Sequence, residues 1–494
     1  MEHQGSIQST ALRVGRRAFI LAFFILLALM ILAGVLTRVV PAGGYSRDVV
    51  DGVSRVIPGS FHFQSRPHYP VWRWFTAPGE VLFAPGNVTA ITIILFLLFV
   101  GGSFTVLERG GLLETLLAGI VRHFEIRKYL LLPIIIFTFM LLASVLGVYE
   151  SLVPLIVLIV PLAHRLGWDS MTGLGMSLLP LSFGFAAATT NPFTIGVAQA
   201  IAGLPLFSGA WLRVIFFLVI YVLVVAFVTR YARKVERDSK HSLVYEEDRK
   251  LRSSAGPRFA GVANPGADHA ETRPEMRRGI LWFAGCVLLA LLFALSTSYL
   301  GATSDLSFPL MALLFLSGGI GGGLFAGMGL RRVFASLGSG ALNMLPAVLL
   351  ILMSLSVKHI VDSGHITDTI LYRAGTAIAT APRFVAAFLV YLLTLIMNFF
   401  IGSASAKAFL MMPILAPLSD LVGITRQTTV LAFDFGDGFS NMLYPTNPLL
   451  VIALGLTVVS YPKWIRWTIA LQGIVFLVTI AFLAIAVAVH FGPF

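Results

Sequence analysis

The sequence predicts an all-α polytopic membrane protein made of two inverted repeats, each with a re-entrant hairpin and a broken helix. Of 494 residues, 57% are hydrophobic and only 12% charged, with mean hydropathy +0.89, which leaves too little polar surface for soluble domains. Apolar runs of about 20 residues recur, each able to cross a hydrocarbon core of roughly 30 Å. Inside two of these stretches Thr190-Asn191-Pro192 recurs as Thr446-Asn447-Pro448, 256 positions on. A near-equal offset of 254 pairs Glu108-Arg109-Gly110 with Asp362-Ser363-Gly364, and Leu112, Glu114, Thr115 and Leu116 with Ile366, Asp368, Thr369 and Ile370. The chain is therefore read as an internal duplication.

The first apolar run, 18–40, follows Arg13, Arg16 and Arg17. It exceeds the apolar core of about 7–15 residues in a signal peptide, so it is kept as a helix with the N-terminus in the cytoplasm. An external loop, 41–87, comes next; its stretch 47–73, with Asp48, Asp51 and Arg55 among prolines and aromatics, is assigned no chemistry. Spans are read at 88–107, 129–147, 211–228, 279–300, 308–328, 341–361, 383–401 and 464–489, with broken segments at 177–203 and 428–459. Between the halves, 229–278 is rich in arginine and lysine, which marks the cytoplasmic side. The resulting division is an N-terminal repeat 1–228, a basic cytoplasmic loop 229–278, a linking helix 279–307 and a C-terminal repeat 308–494. Five spans before the basic loop would leave it outside. Short crossings at 110–123 and 364–376 repair the parity in both halves and invert them relative to each other; lying at the interface is the alternative for both segments.

Upstream of each break, 151–166 and 409–422 are too short to enter and leave as two full helices. They are read as re-entrant hairpins with tips at Gly147-Val148-Tyr149-Glu150 and Gly402-Ser403-Ala404-Ser405-Ala406-Lys407. Pro192 and Pro448 each remove a backbone donor and push the preceding asparagine from helical angles. The freed backbone, with Thr190, Asn191, Thr446 and Asn447, then offers partners to a carboxylate or a cation; the structural alternative is a kink satisfied by neighbouring helices. Charges inside the membrane are costly unless paired or hydrated. Glu150 and Lys407 occupy corresponding tips, while Asp434 and Asp437, three residues apart, share a face. Lys407 either pairs with an acid to hold helices together, or meets a substrate carboxylate while an acid meets an ammonium or a transported proton. Ser151, Ser403, Ser405 and Asn441 complete the candidate substrate and ion-binding set. Three acids and one base leave a negative excess, which suits an amino acid better than a dianion unless burial protonates the acids.

The net charge of +12 does not signal nucleic acid, because the positive residues sit in loops without interleaved aromatics. The single cysteine, Cys286, lies within a span and excludes disulfides and cysteine metal sites; it is read as a small apolar filler. The glycines from Gly318 to Gly329 read as close helix packing, with a dimer face as the lesser alternative. Lys358, His359, Glu108 and Arg109 lie near span ends and read as interface anchors. His-Glu-x-x-His, Gly-x-Ser-x-Gly and Walker sequences are all missing, so no catalytic residue, metal or cofactor is expected. A channel remains an alternative class.

Gly402-Ser403-Ala404-Ser405-Ala406-Lys407-Ala408, Met412-Pro413-Ile414-Leu415-Ala416-Pro417 and Phe435-Gly436-Asp437-Gly438-Phe439-Ser440-Asn441-Met442 resemble the anaerobic C4-dicarboxylate carrier family. Asn191-Pro192-Phe193-Thr194-Ile195-Gly196-Val197-Ala198-Gln199 and Val40-Pro41-Ala42-Gly43-Gly44-Tyr45 are similar to its YfcC-like branch. The resemblance covers nearly the whole chain. It implies a secondary carrier of the ion-transporter superfamily in the bacterial inner membrane, working as a homodimer by an elevator-like movement on C4-dicarboxylates or amino acids, basic ones included. Sodium-coupled relatives carry Ser-Asn-Thr at their hairpin tips. The tips here depart from that, and the Lys407 ammonium stands where a cation would bind, so proton coupling or exchange gains weight over sodium.

Overall fold

The computed structural model describes residues 16–50, 53–84, 87–124, 127–147, 149–254, 273–300 and 307–492. Its first span is α1 (Arg16–Val39). The segment after it carries two small antiparallel ribbons, β1 (Gly43–Gly44) with β4 (His62–Phe63) and β2 (Arg47–Val50) with β3 (Val53–Val56). These ribbons and α2 (Arg73–Glu80) lie within the segment read as a loop, and every other regular element of the described chain is helical. Then come α3 (Asn87–Arg109), α4 (Leu112–Phe124), α5 (Lys128–Leu146), a 3-10 turn Glu150–Leu155 leading into α6 (Ile156–Arg165), and α7 (Ser170–Ala186). A π turn, Pro192–Gly196, leads into α8 (Val197–Ala202), followed by α9 (Ala210–Arg237) and α10 (Tyr245–Ser254).

The second half runs α11 (Pro274–Leu300), α12 (Ser307–Phe325), α13 (Leu330–Asn343), α14 (Leu345–Ser363) and α15 (Thr367–Ala379). It continues α16 (Arg383–Phe400), α17 (Ala404–Val422), α18 (Arg426–Gly438), a 3-10 turn Phe439–Met442, α19 (Pro448–Gly455) and α20 (Tyr461–Ala488). From α3 and α14 onward, the same order of elements occurs twice at the spacing of the sequence repeat.

Among the described residues, eight helices are long and apolar enough to cross a membrane. One of them is α17, which changes the reading of 409–422. That stretch is part of one continuous helix and does not turn back on itself; likewise 151–166 is a 3-10 turn running into a single helix. Each is one arm after a break, with α16 and α5 preceding it across the break. Proline at 413 and 417 did not interrupt α17, because a helix packed among neighbours has other donors and contacts to offset the lost bond. The span read at 341–361 starts later, at Leu345-Pro346, since a proline in the first helical turn loses no bond; α13, unread in the sequence, precedes it. The segments proposed as short crossings are α4 and α15. At 13 residues each they reach about 20 Å, short of the roughly 30 Å hydrocarbon core.

Close backbone approaches fix the helix pairs around the breaks. A Cβ added at Gly184 of α7 would sit 2.2 Å from the Met140 carbonyl oxygen of α5, and one at Gly438 of α18 would sit 2.2 Å from Ala186 Cα at the end of α7. Only glycine admits these contacts, so both unwound segments begin where α7 and α18 meet. Aromatic rings fill the space beside them, Phe183 with Phe439 and Phe216 with Phe435. Gly319 of α12 packs against Ser103 of α3 inside the chain, which assigns that glycine to internal packing in place of a dimer face.

Candidate functional site

Both Thr-Asn-Pro copies are built alike. Asn191 and Asn447 leave the helical region, and each side-chain oxygen accepts a hydrogen bond from the amide two residues on, Phe193 N and Leu449 N, both at 2.9 Å. Proline at the first helical position and a side-chain cap at the preceding asparagine are the physical requirements for starting a new helical segment at depth. The two broken segments are stapled to the helices before them by residues that also stand 254 apart. Ser144, in the last turns of α5, donates to Ala187 O (2.6 Å) and accepts from Thr189 N (3.1 Å). Asn398, in the last turn of α16, donates to Asp437 O (2.9 Å), Ser440 Oγ (2.6 Å) and Asn441 Oδ1 (3.0 Å). Neither was singled out in the sequence; the spacing rule applied to polar residues within spans would have found both.

The charges gather where these segments meet. Lys407 is closed off from solvent and pairs with Asp437 of α18, which is equally buried; its ammonium also donates to Asn398 Oδ1. Of the two roles weighed from the sequence, the structure therefore shows the ion pair between helices. Asn441 Oδ1 accepts from both Asn398 and Asn447 (each 3.0 Å), so the second break is tied directly to the lysine site. Ser405 reaches the first break, donating to Phe193 O at 2.9 Å, while Ser403 accepts from Ala406 N and caps α17. Thr190 donates to Val145 O at 3.2 Å. Gly147, with φ +68, packs against the Asn191 amide, so the first tip also closes on the first break.

Asp434 lies one turn before Asp437 and is fully buried, and neither of its carboxylate oxygens has a hydrogen-bond partner in the chain. The Thr194 hydroxyl and the Ala188 amide approach it without completing a bond, and Arg213 of α9 interacts with it electrostatically. Arg213 is also fully buried; its guanidinium donates to Ser208 O (2.9 Å), Thr189 O (3.0 Å) and Phe207 O (3.3 Å). This arginine corrects the count of three acids against one base. It went unread because it stands at the start of an apolar run, where a cation is expected to reach the interface. Among Asp434, Asp437, Lys407 and Arg213 the formal charges balance. The side chains of Glu150 and Ser151 lie outside the described residues, and Val148 likewise. Asn191 Nδ2, Thr194 Oγ1 and Thr446 Oγ1 are buried without partners as well. Such a concentration of unsatisfied polar atoms at the crossing of two broken helices suits a small polar ligand.

On the side of the basic loop, Asp169 caps α7 by accepting from Thr172 and receives Tyr231 (2.8 Å) and Ser242 (2.6 Å). Asp248 of α10 accepts from the Ser170 amide and hydroxyl. The 41–87 segment has its own tie, Arg47 binding Asp368 of α15 at 2.9 Å.

A family model described as C4-dicarboxylate anaerobic carrier matches residues 19–488. A protein of Escherichia coli (strain K12) named "Putative basic amino acid antiporter YfcC" is 32% identical over 485 residues, which cover 91% of this chain and 92% of that protein. An uncharacterized protein of Haemophilus influenzae (strain ATCC 51907 / DSM 11121 / KW20 / Rd) is 24% identical over 512 residues, 95% of this chain and 97% of that protein. Among solved structures, the Alcanivorax borkumensis YdaH transporter matches at 19% identity and TM-score 0.39, covering 96% of this chain and 100% of that one. Neisseria gonorrhoeae MtrF matches at the same identity and TM-score over 96% of this chain and 95% of that one.

Proposed function

The chain belongs to the C4-dicarboxylate anaerobic carrier family, and from that membership we propose a secondary active transporter that moves small carboxylate-bearing metabolites, with amino acids favoured, by symport or antiport. The observation that carries the substrate preference is the buried Lys407–Asp437 pair at the second break. A zwitterion can open that pair and replace both partners at once, its carboxylate on the lysine and its ammonium on the aspartate, leaving no charge uncompensated. At that pair a dianion would find one cation, Lys407, beside a repelling acid, while the second buried cation, Arg213, is engaged with loop carbonyls. The unpaired polar atoms of Asn191 and Thr446 stand ready for the remaining carboxylate oxygen. The name of the Escherichia coli relative supports basic amino acids and antiport among the choices.

The site of this function is the membrane-depth set Glu150, Ser151, Thr190, Asn191, Pro192, Ser403, Ser405, Lys407, Asp434, Asp437, Asn441, Thr446, Asn447 and Pro448. The reading places the carrier in the bacterial inner membrane as a homodimer with the N-terminus in the cytoplasm. Inversion of the two halves has its own support. Glu114 of α4 and Asp368 of α15 are counterparts in the repeat, yet Glu114 meets Arg165 near the basic-loop contacts of Asp169 and Ser170, whereas Asp368 meets Arg47 of the 41–87 segment.

A thermal-shift series on purified protein, followed by counterflow of labelled ligand in vesicles, tests the substrate class, because a ligand that binds only the folded state raises the midpoint. Arginine or lysine should stabilise the protein and exchange. Tight succinate or fumarate binding that improves in Asp437→Asn would replace this reading with the C4-dicarboxylate alternative. Non-saturating flux without counterflow would indicate a channel.

A further inference from the structure

Among the described residues, Asp434 differs from the other buried carboxylates. Asp437 has an ammonium against it, and Asp169 accepts from Thr172, Tyr231 and Ser242. Asp434 is 0% exposed with both oxygens unpartnered, and Arg213, the cation that acts on it electrostatically, gives Nη1 and Nη2 to three loop carbonyls and keeps a buried Nε without a partner. A bare carboxylate in that position carries a desolvation cost that only a proton or a cation removes.

The other ionisable groups on elements packed against α18 are few. Lys407 of α17 is engaged with Asp437, α16 brings Tyr391 and, at its far end, Arg383, α20 has Tyr461, Lys463 and Arg466 in its first turns, and α7 and α8 bring none. Arg426 of α18 itself is engaged at the surface with Asp420. The cluster therefore separates into two units one turn apart: Lys407–Asp437–Asn398, and Asp434–Arg213–Thr194.

We propose that Asp434 is the coupling-proton site of the carrier, holding a proton as the neutral acid in the described state and releasing it when the carboxylate turns to the Arg213 guanidinium. The step conserves charge and atoms: the carboxyl O–H breaks, its proton leaves to water on the open side, and the carboxylate formed pairs with Arg213. Thr194, whose hydroxyl is also unpartnered, lies on the first broken segment, so the protonation state of Asp434 reports to the Thr190-Asn191-Pro192 break that the substrate would occupy. The inference rests on the transporter reading, but its first test does not need a substrate.

Infrared difference spectra of purified protein titrated in pH provide that test. The wild type should show the carbonyl band of one protonated carboxylic acid at neutral pH, lost in Asp434→Asn, retained in Asp437→Asn and restored in Asp434→Glu. In Arg213→Gln the same band should persist to higher pH, because the ionised form has lost its partner; a single elution peak on size exclusion confirms that each variant is folded. An unchanged spectrum in Asp434→Asn would overturn the proposal. In proteoliposomes, an imposed pH gradient should drive accumulation of labelled arginine, or of succinate if that is the ligand carried, by the wild type and Asp434→Glu but not by Asp434→Asn. Accumulation driven equally well in Asp434→Asn would also overturn it. If the wild type carries neither probe, the transport reading fails while the infrared result stands or falls on its own.

Discussion

Lys407 of α17 and Asp437 of α18 form an ion pair that no solvent reaches, with Asn398 of α16 bonded to the lysine and to the backbone of the aspartate. Three helices are thereby joined at the point where α18 unwinds.

Removing one member of this pair strands the other. Lys407→Ala and Asp437→Ala are each expected to lose about 3–5 kcal/mol of stability, whereas an apolar double replacement, Lys407→Met with Asp437→Leu, should recover most of it. Thermal unfolding in detergent checks the stabilities. Counterflow checks the function, which the double variant should lack. Transport by the stable double variant would show the pair to be purely structural.

Asn191→Ala and Asn447→Ala each remove a cap, on Phe193 N and Leu449 N, worth about 1 kcal/mol. That is too little to unfold the protein, so both variants should insert and elute normally while transport falls steeply. Asn447→Ala should be the more severe, because it also breaks the bond to Asn441 that ties the cap to the lysine site. Normal uptake by both would reduce the breaks to structural kinks.

Orientation follows from the basic loop. In a Cys286→Ala background, Lys240→Cys should be shielded from an impermeant thiol reagent in intact cells and Ser65→Cys should react; both positions are exposed in the structure. Labelling of both from outside would overturn the topology.

Glu80 of α2 links the 41–87 segment to α14 through His359 (3.3 Å) and is held within α2 by Arg73 (2.7 Å). Burial pushes its carboxyl upward, but hydrogen bonds from Arg73, Thr76 and His359 and the charge of Arg73 prevail and hold it at about 2, below its ordinary 4.5. A depressed carboxyl contributes stability above its unfolded value and loses it as the pH falls through the folded one. Glu80→Gln should therefore melt below the wild type at pH 7, and the gap should close between pH 4.5 and about 2. A gap independent of pH would mean that the carboxylate charge contributes nothing.

The sequence by itself determined the membrane class, most span positions, the two helix breaks and the identity of Lys407, Asp434 and Asp437 as the charges to explain. Those features are local: hydropathy over some 20 residues decides a span, and an Asn-Pro step dictates its own backbone. Only the tertiary structure decided that Lys407 takes Asp437 and leaves Asp434 to Arg213, since both acids share one helical face and the choice depends on which helix stands opposite. Asn398 and Ser144 were legible only as polar residues in spans until α16 and α5 placed them on the unwound segments. The contact of Gly438 with Ala186 likewise joins residues 252 positions apart (186 to 438), which no local pattern encodes. The stretch 409–422 was misread for the same reason: its length suggested a hairpin, but the residues that complete its helix, Ala404 onward, belong to what the sequence presented as a polar tip. Pairing across a membrane core is set by which backbones can approach, and that is a property of the packed helices together.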